Sequence, residues 1–283
     1  MYDWTTEPIH REALIDYAED RDSLAIDFST FWLIDEGPYC GLWIARWMAD
    51  QGRYTDALKA TQHGCAPPDA QLVTFRAVLL AALGRADEAE ALIEVHRTKA
   101  LATDPNRMVW LPNLRAAPHN TGAYEHAKAA LAWCRGNYAS TVELSKAAIE
   151  LHSCTPEVWG LCIAGMLAMN DLETAGCMLA RSDSLPCLKG EYPKIILQDS
   201  QWSFLKGECV DAEKAVMWYE RIAGRTAESL CMRMALAAKR NDAETRDALL
   251  AELSTHGRFD AKHLTTICLF PPAIVDAAFS ALP

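Results

Sequence analysis

The chain has 283 residues, a formal net charge of −11 and 51% apolar residues. This negative charge argues against binding nucleic acid or an anionic membrane through the whole surface, because both need a basic face. No run of Lys and Arg supplies such a face locally, and no apolar run is long enough to span a bilayer. Ala and Leu are abundant and β-branched residues are sparse, so the composition predicts an all-helical protein.

The cysteine pattern indicates a reducing compartment. The chain has ten cysteines with irregular spacing and no Cys-x-x-Cys pair, and its N-terminus has no basic region followed by an apolar stretch. We therefore expect buried free thiols in a cytoplasmic protein.

Residues 1–38 do not share the pattern of the chain that follows. We interpret them as an N-terminal cap, because arrays of repeats need atypical end units to cover their exposed faces. The alternative is that Phe28, Phe31 and Trp32 face an upstream domain or a second subunit.

A turn motif recurs between helical stretches from residue 39 to residue 255. A Gly or Asn ends one apolar helical stretch, and small or acidic residues begin the next. The turn residues are Gly52, Gly84, Gly136, Asn170, Gly207 and Asn241. Gly and Asn are favoured in the left-handed conformation that ends a helix. Five places later four units have Ala, which allows close helix packing, whereas the other two have Thr141 and Arg246.

The spacing of these turns resembles that of the tetratricopeptide family. Four of the five intervals are close to its 34-residue period, and the interval from Gly84 to Gly136 is longer. Matches to the family's consensus residues occur at Gly136, Tyr138, Ala148, Pro156 and Trp159.

The resemblance covers residues 39–255 and implies one domain, residues 1–283. The implied fold is all-α, a right-handed α-solenoid of about six degenerate helix hairpins with a cap at each end. Residues 256–283 would form the C-terminal cap.

The long interval contains an insertion, residues 103–120, whose three prolines prevent a regular helix throughout. Insertions in solenoids tend to lie on one face, which is often the binding face. We interpret the insertion as filling a notch between the second and third units. The alternative is a lid over the groove, in which Trp110 would contact a ligand.

The C-terminal residues resemble the closing segment of tetratricopeptide regions in bacterial winged-helix regulators and nucleotide cyclases. The likeness rests on Phe270, Pro272 and the final Ala281, Leu282 and Pro283. It implies that the chain is the sensory or scaffolding part of a bacterial system of that kind.

In this family the first helix of each hairpin lines the concave groove. The resemblance therefore implies these binding residues: Tyr39, Arg46, His126, Trp133, Lys194, Gln201 and Phe204. The lining is mostly apolar, and Arg46 and Lys194 are too far apart to clamp a carboxylate together. Such a groove suits an amphipathic helix, a hydrophobic peptide or a hydrophobic small molecule, and it equally suits filling by the chain's own insertion.

No catalytic or metal-binding spacing is present. The chain lacks a Gly-rich phosphate loop, a Gly-x-Ser-x-Gly motif and a His-Glu-x-x-His motif. Its two His-x-Cys pairs lack the second pair of a structural zinc site. Cys134 is two helical turns from His126, but a buried structural thiol is favoured over a nucleophile. We expect no cofactor and no metal.

The leading hypothesis is a non-catalytic scaffold that binds a protein or peptide in the groove, with a role that could be regulatory. One alternative is a small-molecule sensor or enzyme whose apolar pocket is closed by residues 103–120. Another is a structural homo-oligomer, such as a homodimer. We expect neither nucleic acid nor a membrane as a partner.

Overall fold

A computed structural model of the chain describes residues 45, 48–49, 52–61, 70–102, 122–150, 156–183, 193–255 and 261–279. The predicted N-terminal cap and the insertion lie outside these ranges. Within them the protein is all-α, as the composition predicts, and it has thirteen helices and no strand. None of these thirteen helices combines the length and the hydropathy that crossing a bilayer requires.

The helices are numbered in chain order. Their bounds are α1 Tyr54–Ala60, α2 Ala70–Ala82, α3 Ala86–Ala102, α4 Ala123–Cys134, α5 Tyr138–Glu150, α6 Pro156–Ala168, α7 Leu172–Asp183, α8 Lys194–Lys206, α9 Cys209–Ala223, α10 Ala227–Lys239, α11 Ala243–Thr255, α12 Ala261–Thr266 and α13 Pro272–Phe279.

All six predicted turn residues end a helix in the same way. Their φ angles lie between 56° and 89°. At the third turn, the N–H of Gly136 donates to the carbonyl of Trp133 and the N–H of Asn137 donates to that of Ala132, over 2.8 and 2.9 Å. The same pair of bonds, 2.8–3.0 Å long, recurs at the other five turns. This arrangement satisfies carbonyls that the helix itself leaves unpaired.

The residue five places after each turn residue lies between the two helices of a pair. Five of these six residues are completely buried: Ala57, Ala89, Thr141, Ala175 and Ala212. The hydroxyl of Thr141 donates to the carbonyl of Asn137 over 2.9 Å, so the buried polar atom is satisfied. Arg246 is the exception, and its guanidinium remains partly exposed and pairs with Asp247.

The helices pack in order along the chain. Each first helix contacts its second helix, which in turn contacts the next first helix: α2 with α3 and α3 with α4, and so on to α10 with α11. The first helices also contact one another directly in the order α2, α4, α6, α8 and α10. We call these five helices the first-helix layer.

The two C-terminal helices pack in different places. Helix α13 lies on α10, where Ile274, Val275 and Ala278 are buried together with Phe270. Two side chains of helix α12, which precedes it, form hydrogen bonds with residues in the first half of the chain. The sequence pattern predicts this last helix at residues 273–282, close to the bounds of α13.

The turn geometry makes a prediction at Gly136. An added Cβ there would meet no atom within 4 Å, but its φ of +71° is one that L side chains rarely adopt. We therefore expect Gly136→Ala to lower the free energy of unfolding by about 1–2 kcal/mol through the backbone alone. Chemical denaturation measures this. Gly136→Asn is the matched control and should cost less, because Asn tolerates the left-handed conformation. Equal losses in the two variants would contradict this account.

Candidate functional site

The C-terminal segment, residues 261–270, lies against helices from the first half of the chain. The ammonium of Lys262 donates to the carbonyl of Ala82, the last residue of α2, over 2.8 Å. That carbonyl is one of the four that a helix end leaves unpaired, at the negative end of the helix dipole. The ring of His263 stacks on that of Tyr54, and Nδ1 shares a 2.7 Å hydrogen bond with the tyrosine hydroxyl.

Trp133 joins the same segment to the first-helix layer. Its indole Nε1–H donates to the carbonyl of Thr265 over 2.7 Å, and its ring packs against that of Tyr138. Only 2% of Trp133 is exposed. Because the acceptor is a main-chain carbonyl, this contact holds the backbone of the segment independently of its side chains.

Leu269 inserts an apolar side chain into the layer. It packs against a buried cluster of Ala129, Ala130, Trp133, Leu161 and Ala164. Its φ of 60° is left-handed, a conformation that costs an ordinary residue about 1–2 kcal/mol. A leucine in that conformation needs compensation, which the apolar contacts provide.

The structure separates the predicted site residues. Tyr39, Arg46 and Trp110 lie outside the described residues. Trp133 is buried beneath the C-terminal segment, whereas Lys194 and Gln201 belong to α8, further along the layer. Their roles in binding a partner stay predictions.

Lys194 forms an ion pair within the layer. Its ammonium lies 3.1 Å from the carboxylate of Glu228 on α10. Burial opposes ionisation of Glu228, but the charge of Lys194 and the hydrogen bonds to the carboxylate together outweigh it, so the pKa of this carboxyl lies below its ordinary value. Burial and the neighbouring carboxylate raise the pKa of Tyr219 to about 12. The positive charge of Lys194 is therefore used in joining α8 to α10.

Two glutamines of α8 are buried in the same layer. Gln198 donates from Nε2 to the carbonyl of Gly160 on α6 over 2.6 Å, and its Oε1 is buried without a hydrogen-bond partner. Oε1 of Gln201 is also buried without one, and only 2% of this residue is exposed. Phe204, one turn further on, is buried under the ammonium of Lys239. The part of the layer that α8 forms is thus largely buried.

His126 and Cys134 do not form an activated pair. Burial lowers the pKa of His126 to about 4 and raises the pKa of Cys134 to about 12. Both groups are therefore neutral near pH 7, whereas a cysteine nucleophile needs its thiolate. Eight residues of helix also separate them by about 12 Å along the axis. No group of three or more metal-ligating side chains occurs among the described residues.

No pattern in the sequence indicates Tyr54, Lys262, His263 or Thr265 as site residues. Their contacts link positions that are 180 residues or more apart, or 132 for Trp133 and Thr265. Local periodicity carries no information about such pairs. The only available signal was the departure of residues 256–283 from the repeat.

Comparison with known proteins adds no relative. No protein-family model matches the chain, and no curated protein is significantly similar to it.

The indole hydrogen bond of Trp133 predicts a local effect. We expect Trp133→Phe to speed amide hydrogen exchange in residues 261–270, because the variant loses the donor to Thr265. Trp202→Phe is the matched control, since its indole donates over the same 2.7 Å to Leu172, outside the segment. Faster exchange in the segment of both variants, or of neither, would contradict the assignment.

The partly buried imidazole of His126 predicts a loss of stability in acid. Its pKa falls from 6.5 to about 4 on folding, so below pH 6.5 the unfolded chain takes up the proton first. The contribution of neutral His126 to the free energy of unfolding is complete above pH 6.5. It falls by up to about 1.4 kcal/mol per pH unit as the pH drops towards 4. Urea unfolding of the wild type and His126→Gln at about pH 7 and about pH 5 measures this. The advantage of the wild type over the variant should shrink at the lower pH; a constant difference would refute the assignment.

Proposed function

We propose that the protein is a helical-repeat scaffold that binds a polypeptide segment of a protein partner on its first-helix layer. The proposed architecture is a right-handed superhelix of the tetratricopeptide type. It is supported by six turns with one shared geometry and by direct contacts between successive first helices. Such stacking turns the first helices into one extended surface.

One observation carries the proposal: the layer already holds a polypeptide segment, the chain's own residues 261–270. Part of this segment is a single short helix, and its contacts are of the kinds that peptide recognition uses. Trp133 holds a main-chain carbonyl and its apolar cluster receives Leu269, whereas Tyr54 on the neighbouring helix α1 contacts the ring of His263. A surface with these donors and apolar contacts can accept a segment of similar chemistry from another protein.

The contacts also indicate the chemistry of that partner segment. A cationic side chain would bind the carbonyl of Ala82 at the end of α2, as Lys262 does. A planar ring on a short side chain would stack on Tyr54, as His263 does. A large aliphatic side chain six residues after the ring would fill the position of Leu269. The partner segment then combines one charge, one ring and one apolar anchor around a short helix.

The pocket hypothesis depends on residues 103–120, which lie outside the described residues. It stays a prediction, as does the absence of catalysis.

The proposal is tested by supplying the C-terminal segment as a separate peptide. A fluorescently labelled peptide with the sequence of residues 258–271 is titrated with the wild type and with a chain carrying Lys262→Ala, His263→Ala and Leu269→Ala. We expect the substituted chain to bind at least tenfold more tightly than the wild type, because its own segment competes less well. Circular dichroism establishes that the substituted chain remains helical.

A peptide with the same three alanines is the control and should not bind. Equal binding of both peptides, or no binding of the first peptide by a folded substituted chain, would overturn the proposal.

A further inference from the structure

Helix α9 presents large apolar side chains to solvent. Seven large apolar residues are exposed in the described part of the chain, and four of them belong to this helix: Val210 at 64%, Met217 at 46%, Trp218 at 52% and Ile222 at 48%. Single exposed apolar residues are ordinary, but several on one face mark an interaction surface. Trp and Met are also enriched at the centres of protein interfaces.

The core contacts of α9 are made by its opposite face. The helix is anchored through its opposite side, where Ala212, Val216 and Tyr219 are buried in the core with residues of α8 and α10. The exposed residues therefore have no part in the internal core of their own helix pair.

Four of the residues on the exposed face form a ridge. Val210, Lys214, Trp218 and Ile222 are spaced by four, so they lie next to one another along the helix. Lys214 is 71% exposed, and its ammonium is 2.9 Å from the carboxylate of Asp211. From residue 210 to residue 222 the ridge therefore presents an apolar, a cationic, an aromatic and an apolar side chain.

We propose that this ridge binds the same ridge of a second copy of the chain, in the antiparallel direction. A twofold axis at the level of residue 216 brings Val210 opposite Ile222 of the second copy and Lys214 opposite its Trp218. Each contact then occurs twice, as a closed twofold interface requires.

The charge of Lys214 favours a second copy of the chain as the partner of the ridge. Lys214 meets the indole face of Trp218, and an ammonium over an indole is a favourable pair. The chain already uses that pair internally, where Lys206 Nζ lies 4.1 Å from the ring centroid of Trp202. In a parallel arrangement Lys214 would instead face Lys214 of the second copy, which like charge disfavours.

The size of the ridge limits the strength of the dimer. One face of a single helix is smaller than the roughly 800 Å² per partner of a stable interface. The association is therefore weak and reversible. The ridge belongs to a second helix rather than to the first-helix layer, so this proposal is independent of the proposed function.

Sedimentation velocity over a concentration series tests the surface. The wild type should show a reversible monomer–dimer equilibrium, and Trp218→Asp should weaken it at least tenfold. Val95→Asp on α3 is the matched control, since Val95 is 50% exposed; it should leave the equilibrium unchanged. A wild type that stays monomeric at every soluble concentration, or a dimer that survives Trp218→Asp, would overturn the proposal and leave the ridge to another protein.

Cysteine crosslinking tests the direction. An equimolar mixture of Val210→Cys and Ile222→Cys chains should form disulfide-linked dimers under mild oxidation, whereas each variant alone should form no more than the wild type with its native thiols. Crosslinking by each variant alone would indicate parallel ridges and would refute the antiparallel arrangement.

Discussion

The hydrogen bond from the indole of Trp133 to the carbonyl of Thr265 joins parts of the chain that are 132 residues apart. Trp133 is buried, so its indole N–H would lose its partner if the segment moved away, at a cost of about 1–3 kcal/mol. The contacts of Lys262 with Ala82 and of His263 with Tyr54 depend on the same placement of α12. This set of contacts makes the first-helix layer a surface that already has a polypeptide bound to it.

The array beneath that surface follows from local sequence. A Gly or Asn at each turn permits the left-handed φ, and a small residue five places later allows the helices of a pair to approach. Both requirements concern residues that are close in sequence, so the pattern predicted all six turns and the all-helical class. Pro156 is the first residue of α6, a position where a missing N–H costs nothing.

The site was less predictable, because its residues meet through the path of the whole chain. The family resemblance suggested Trp133 from its place on a first helix, but nothing near it in sequence indicated that Thr265 would cover it. Lys194 was predicted to face a partner, and only the neighbouring first helix revealed Glu228 as its ion-pair partner. His126 carried no sign in the sequence of the burial that lowers its pKa.

The most direct measurement of the central contact is the nuclear magnetic resonance signal of the Trp133 indole N–H, assigned by its loss in Trp133→Phe. The account predicts slow exchange with water and a nuclear Overhauser effect to the Thr265 backbone in the complete chain. An indole N–H that exchanges freely and shows no contact with residues 261–270 would contradict it, and the first-helix layer would then have no bound segment.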